Sequence, residues 1–267
     1  MRGGSFASYI GAMRRFAKRV LRATPSSFRE TLLRQSIAAA EEDAKFRAGQ
    51  PTMWGSLQNL SRIGFRPGGI IDVGANIGAW ATTVSSIFPG CPIHMIEAQP
   101  SLEPELAATG FSYSIALLGP ETRSSVPFFV SGTGSSVMEE VTSFERKKVE
   151  LPMNRLDDRE PVKSWPGPLL LKLDVQGFEL EVLAGAQSIL ERTEVILSEV
   201  SLLPYNKGAP LMHEVIAYLA ERDFLPYDIC RGLRRSSDMA LFQTDMVFVR
   251  RDSELRAKRK FWADEPS

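Results

Sequence analysis

Ile70-Ile71-Asp72-Val73-Gly74-Ala75-Asn76-Ile77-Gly78 is the stretch that decides the fold. Two isoleucines and Val73 read as a buried strand, because β-branched apolar residues suit a pleated surface covered on both sides. The strand stops at a glycine. A second glycine follows four residues later, and Ala79-Trp80-Ala81-Thr82-Thr83-Val84 continues with helical character. Strand, glycine turn and helix start together form the cradle that open α/β sheets use for an adenine nucleoside or nucleotide. Glycine admits a close approach of ligand to backbone, since no Cβ stands in the way. The spacing narrows the ligand. A dinucleotide loop reads G-x-G-x-x-G, with the middle glycine making room for a pyrophosphate. Here Ala75 and Asn76 interrupt that pattern. A ligand with an adenosine but no pyrophosphate fits better, and S-adenosylmethionine is one.

A second element agrees. Pro92-Ile93-His94-Met95-Ile96-Glu97 reads as the next strand and ends in an acid. An acid about 20 residues past the glycine turn is placed to meet a ribose diol. His94, inside the strand, reads as a satisfied core residue.

The bulk composition is that of an ordinary globular chain: 267 residues, 43% hydrophobic and 24% charged. Formal net charge is zero, with 32 basic and 32 acidic side chains, so no global field argues for a nucleic-acid partner. The basic residues gather at the ends. Arg2, Arg14, Arg15, Lys18, Arg19, Arg22 and Arg29 precede any acid, and Arg250, Arg251, Arg256, Lys258, Arg259 and Lys260 mark the tail. Such ends suit either plain solvation or a peripheral contact with an anionic membrane face. Cys91 and Cys230 sit far apart in no metal-ligand spacing, which fits a reducing compartment. No run is apolar enough to span a bilayer, and the basic start lacks the apolar core of a signal peptide. A cytoplasmic location, with a peripheral place at the inner membrane face as its variant, is the expectation.

Along the chain, residues 1–50 read as a basic helical extension, with helices over 9–22 and about 27–47. Residues 51–250 read as the main domain and 251–267 as a basic tail. A helix is expected over Met53–Ile63. From Gly69 onward strands near Ile70–Val73, Ile93–Glu97, Phe111–Leu117, Leu169–Asp174 and Val195–Val200 alternate with helices, which implies a doubly wound, mostly parallel sheet. Ser125–Val130 and Val149–Met153 read as short strands of an insertion beside that sheet. Pro226–Cys230 and Met246–Val249 lack a full helix between them and suggest an antiparallel pair at the sheet edge.

The run Leu169-Leu170-Leu171-Lys172-Leu173-Asp174-Val175-Gln176-Gly177-Phe178-Glu179 repeats the logic of the first. A buried strand ends in an acid, glycine turns the chain, and a helix follows. Ligands of open α/β sheets sit over the carboxyl ends of strands, where Asp72, Glu97, Asp174 and Glu199 all fall. Close carboxylates raise one another's pKa, which suits general-base work.

Taken in order, Ile71-Asp72-Val73-Gly74-Ala75-Asn76-Ile77-Gly78, Glu97-Ala98-Gln99-Pro100, and Leu171-Lys172-Leu173-Asp174-Val175-Gln176-Gly177-Phe178-Glu179 with Val182-Leu183-Ala184-Gly185-Ala186 resemble the FkbM-type methyltransferases over roughly residues 55 to 250. The resemblance implies a class I, Rossmann-like methyltransferase fold, with a seven-stranded, mostly parallel sheet whose last strand is antiparallel. It implies S-adenosylmethionine as cofactor and O-methylation of a hydroxyl on a sugar, glycan or secondary metabolite. Position by position it implies that Gly74, Asn76 and Gly78 hold the methionine end of the cofactor and Glu97 the ribose, with Asp72, Ala75 and Asp174 also at the cofactor. Ala116 and Leu117 border the adenine, and the Asp174–Glu179 loop faces methyl group and acceptor.

Asp174 is the first candidate for the general base, with His213 and Glu179 as further candidates. Glu199 reads as structural or substrate-positioning. No metal-ligand set is expected. Two other functions share parts of the pattern. A nicotinamide-dependent oxidoreductase also uses a strand-end acid, but the missing middle glycine counts against it. A non-catalytic adaptor would keep the fold and use the basic helices.

Overall fold

The computed structural model describes residues 45–46, 48–130, 134–139 and 146–257. The helix expected over 9–22, all but residues 45–46 of the one expected over about 27–47, and most of the basic tail lie outside the described residues.

The first described helix of length, α1 (Met53–Arg62), begins where Thr52 Oγ1 accepts the Gly55 N–H at 3.1 Å. It buries Trp54, Leu57 and Leu60. Thereafter the chain runs β1 (Gly69–Val73), α2 (Ala79–Ile87), β2 (Ile93–Glu97), α3 (Glu103–Thr109), β3 (Ser112–Ile115), β4 (Leu117–Leu118), β5 (Arg123–Val130), β6 (Lys147–Asn154) and β7 (Leu169–Leu173). It closes with α4 (Glu179–Ala184), α5 (Gln187–Arg192), β8 (Thr193–Ser201), α6 (Met212–Ala220), β9 (Phe224–Arg234) and β10 (Leu241–Arg250).

Seven strands form the main sheet in the order β3-β2-β1-β7-β8-β10-β9. The first five of these pair in parallel, and β10 runs antiparallel to both its neighbours. This is the class I methyltransferase topology that the family resemblance implies. The order reverses between β1 and β7, and that switch point is where open α/β sheets bind ligands.

Strands β1 and β7 are buried along their whole length, because helices cover both faces. Ile71, Val73, Leu169, Leu171 and Leu173 join one core cluster; Ile70 and Leu170, one residue out of phase, join the cluster on the other face. Asp72 and Lys172 follow the phase of Ile70 and Leu170, so a carboxylate and an ammonium enter an apolar layer side by side.

The strand expected over Phe111–Leu117 divides in two. After β3 the Ala116 N–H donates to the Glu97 carbonyl at 2.8 Å, and the chain then leaves the main sheet. β4 joins a second sheet of order β4-β6-β5, in which β5 and β6 form the antiparallel hairpin of the insertion. Leu117, Val126, Phe128 and Met153 make its small core.

Candidate active site

Two corners build the site, one after β1 and one after β7. In the first, the N–H groups of Gly74 and Ala75 both donate to the Ile96 carbonyl, at 2.9 and 3.1 Å. Gly74 has φ +74°, Asn76 φ +51° and Gly78 φ +74°. The two glycines are required by the protein's own packing as well as by any ligand. A Cβ on Gly74 would lie 1.9 Å from the Asp174 carbonyl oxygen, and one on Gly78 would lie 2.7 Å from Thr109 and 2.8 Å from Met95. The Cβ positions of both glycines are thus taken up by the chain itself.

Glu97 ends β2, and its carboxylate is fixed by backbone donors. Oε2 accepts the Asn76 N–H at 2.8 Å and Oε1 the Gln99 N–H at 3.0 Å. The acid is 5% exposed, yet it lines a cleft together with Gly74, Asn76, Gln99 and Asp174. Ile96, Ala98, Ala116, Leu117, Leu118, Phe128, Val137, Val175 and Phe178 give that cleft apolar walls.

Of the nine residues expected at the cofactor, the cleft brings together Gly74, Asn76, Glu97, Ala116, Leu117 and Asp174. Asp72, Ala75 and Gly78 stand behind it. Asp72 is completely buried, with Oδ1 3.0 Å from the Lys172 ammonium. Burial pushes its carboxyl pKa up, against the lowering pull of Lys172. Lys172 also donates to the Gly74 carbonyl at 3.0 Å and lies 3.6 Å from Asp174 Oδ2. Burial works against that charge, but Asp72 and Asp174 outweigh it and hold the ammonium's pKa above the ordinary lysine value. The sequence reading assigned Lys172 no role.

In the second corner the Asp174 N–H donates to the Val73 carbonyl at 3.1 Å, so the corners touch. The Asp174 side chain is 41% exposed toward the cleft. Gln176, at φ +54°, donates from Nε2 to Asp174 Oδ1 at 2.9 Å and to Glu199 Oε2 at 2.8 Å. The Gln176 carbonyl accepts from Ser136 Oγ at 2.9 Å and Asn206 Nδ2 at 2.7 Å. Glu199 accepts a second amide, Gln243 Nε2, at 2.9 Å. Burial first, then Asp174, Glu179 and Asp245, raises the Glu199 pKa to about 9.

The other two candidate bases stand away from the cleft. Glu179, 3% exposed, braces its own loop by accepting the Val175 and Gly177 N–H groups at 3.1 and 3.2 Å; burial raises its pKa to about 7. His213 is exposed near the start of α6 and does not line the cleft. His94 is the core residue expected. Its ring nitrogens bond Ser112 and Ser114 at 2.8 and 2.9 Å, and burial lowers its pKa to about 4.

The family model "Methyltransferase FkbM domain" matches residues 72–226, more than half of the chain. The chain belongs to the FkbM methyltransferase family. The span of the match begins at Asp72 and includes both corners, the insertion and α6. No curated protein sequence gives a significant match. Several solved structures are similar at low identity. A TehB-like S-adenosylmethionine-dependent methyltransferase from Corynebacterium glutamicum has TM-score 0.40 and 10% identity, over 81% of this chain and 98% of that one. Magnesium protoporphyrin IX methyltransferase from Synechocystis, with bound S-adenosylmethionine, has TM-score 0.38 and 10% identity, over 85% of each chain. A precorrin-6y C5,15-methyltransferase from Geobacter metallireducens has TM-score 0.39 and 11% identity, over 72% of this chain and 85% of that one.

S-adenosylmethionine is consistent with that family membership, and the donor set of the cleft fits it. A carboxylate with both oxygens already oriented by N–H groups retains lone pairs for a diol. The small and aliphatic side chains of Ala98, Ala116 and Leu117 suit a flat base. Among the described residues, no group of three or more His, Cys, Asp or Glu is placed to hold a metal ion, and no helix is long and apolar enough to cross a membrane.

Proposed function

We propose that this methyltransferase acts on a hydroxyl of a sugar, glycan or small secondary metabolite, with Asp174 as the group that orients and deprotonates it. The observation that carries the reading is Asp174 itself: a half-exposed carboxylate at the carboxyl end of β7, lining the same cleft as Glu97 and tied down by Gln176 and Lys172. Glu97 would hold the ribose, and the Gly74–Gly78 turn the methionine end. S-adenosylmethionine, when bound, supplies a methyl group already activated on a sulfonium. The chain's part is therefore to position the acceptor and to take its proton. Asp174 is suited to both, because one oxygen accepts from Gln176 while the carboxylate keeps solvent-facing lone pairs. Glu199, whose pKa burial raises, shares the Gln176 amide with it. The acceptor is thus a small molecule or glycan, and a cytoplasmic setting with the basic ends against an anionic surface belongs to the same reading.

The test is a panel of nucleotide sugars, free and lipid-linked saccharides and hydroxylated metabolites, assayed for transfer of labelled methyl. Asp174→Asn should lower turnover about 10²–10⁴-fold, the range for a general base, while binding S-adenosylmethionine normally. Near-normal turnover in that variant removes the role of Asp174, and transfer confined to nitrogen or carbon acceptors removes the O-methyl reading.

A further inference from the structure

The Lys172 side chain reaches both corners. Its ammonium has three N–H directions, and three oxygens surround it: Asp72 Oδ1 at 3.0 Å, the Gly74 carbonyl at 3.0 Å and Asp174 Oδ2 at 3.6 Å. These belong to strand β1, to the glycine turn and to the cleft-facing acid. The side chain is 8% exposed and passes over the Trp80 ring of α2, with Nζ 5.9 Å from its centroid. Parallel pairing sets this up, since Asp72 and Lys172 are direct partners in the register of β1 and β7.

A buried ion pair is weak evidence for stability, because desolvation offsets much of its attraction. The pair could be replaced by neutral residues of like volume at little cost. The bond to Gly74 has a separate consequence. Gly74 sits at φ +74°, and its N–H is already given to Ile96. With its carbonyl taken by Lys172, both backbone polar groups of the residue are fixed.

We infer that Lys172 is a positioning residue for the cofactor: its ammonium fixes the Gly74 carbonyl, and through it the turn that receives the methionine end, in register with Asp174. The inference rests on the proposed placement of that end at the turn. The oxygens around Lys172 belong to β1, the turn and Asp174, whereas the adenosine end is assigned to Glu97, Ala116 and Leu117, which the turn meets only through the Asn76 N–H on Glu97.

The test separates the two ends. Titration calorimetry is run with S-adenosylmethionine and with 5′-methylthioadenosine, which lacks the amino-acid end, on the wild type, Asp72→Asn and the double variant Asp72→Asn/Lys172→Met. Thermal melts accompany each titration. Asp72→Asn keeps the ammonium on Gly74 and should bind both ligands within about twofold of the wild type. The double variant has no buried charge left unpaired. It should lose about tenfold or more in affinity for S-adenosylmethionine, the worth of a charge-assisted hydrogen bond, and keep its affinity for 5′-methylthioadenosine. Unchanged S-adenosylmethionine binding, or equal loss for both ligands, overturns the inference. A wild type that binds 5′-methylthioadenosine but not S-adenosylmethionine instead sinks the placement on which it rests. Where the double variant does not fold, the wild type reports directly. The Lys172 ammonium 15N resonance should shift on adding S-adenosylmethionine and stay in place on adding 5′-methylthioadenosine, and an unmoved resonance in both titrations contradicts the role.

Discussion

The corners after β1 and β7 are written almost alike and do opposite things. Asp72-Val73-Gly74 and Asp174-Val175-Gln176-Gly177 both place an acid, then a valine, then a glycine at a buried strand's end. In the first the acid is fully buried; in the second its side chain is 41% exposed at the cleft. Register explains the difference. Asp72 pairs with Lys172 and Val73 with Leu173, so Asp174 stands two steps further along than Asp72, level with Gly74. An acid inside the ladder is covered by helix α2 and needs a cation. An acid past the ladder emerges on the rim and is available to chemistry. The shared Asp-Val pair acquires different roles from a shift of two positions between neighbouring strands.

The comparison breaks most visibly at Lys172. Lys172→Met leaves Asp72 buried without its cation and should cost about 3–5 kcal/mol in denaturant or thermal unfolding. Asp174→Asn, a change on the exposed rim, should stay within about 0.5 kcal/mol. Equal costs would mean that the two acids have equivalent surroundings.

The next effect sharpens how closely the corners approach. Gly74→Ala puts a methyl group 1.9 Å from the Asp174 carbonyl oxygen at a left-handed φ. It should cost about 1–3 kcal/mol or more and weaken S-adenosylmethionine binding in calorimetry, since the turn must move to relieve the contact. An alanine variant with wild-type stability and affinity would show that the corners can separate freely.

A smaller effect concerns the acid behind the second corner. With its pKa pushed up to about 9, the folded Glu199 carboxyl should keep its proton well above the ordinary value of 4.5 at which the unfolded chain loses it. Between those values the unfolded state binds fewer protons, so this group lowers stability as pH rises, and the loss levels off above the folded value. Asp174, Glu179, Asp245 and Lys172 are the charges that act on it. Glu199→Gln, which can accept the same two amide hydrogen bonds, should melt close to the wild type at about pH 5 and increasingly above it toward about pH 9. Parallel melting curves across that range would contradict a neutral Glu199.

Much of the scaffold was legible in local pattern. The largely apolar β1 and β7, the acid closing β2 and the missing crossover before β10 identify the sheet and its antiparallel edge, because burial on both faces leaves nearly continuous apolar runs. Glu97 was legible from its distance to the glycine turn. What local pattern could not supply was contact between strands distant in sequence. Lys172 is a lone cation in an apolar run, and only its register partner gives it a purpose. Gln176 was passed over because its two amide bonds reach residues in different elements. Glu179 carried the marks of a catalytic acid but caps the backbone of its own loop. The cleft's far wall, with Phe128 and Val137, comes from the insertion, whose docking follows from Leu117 changing sheets rather than from any periodicity.

Titrating S-adenosylmethionine into the wild type, Glu97→Gln and Asp174→Asn tests the division of labour between the corners most directly. The wild type should bind at one site. Glu97→Gln loses an oriented anion facing the ribose and should weaken binding about tenfold or more, while Asp174→Asn should stay within about threefold. A loss on Asp174→Asn equal to or greater than that on Glu97→Gln would contradict it, because the second corner would then hold the cofactor rather than face the acceptor.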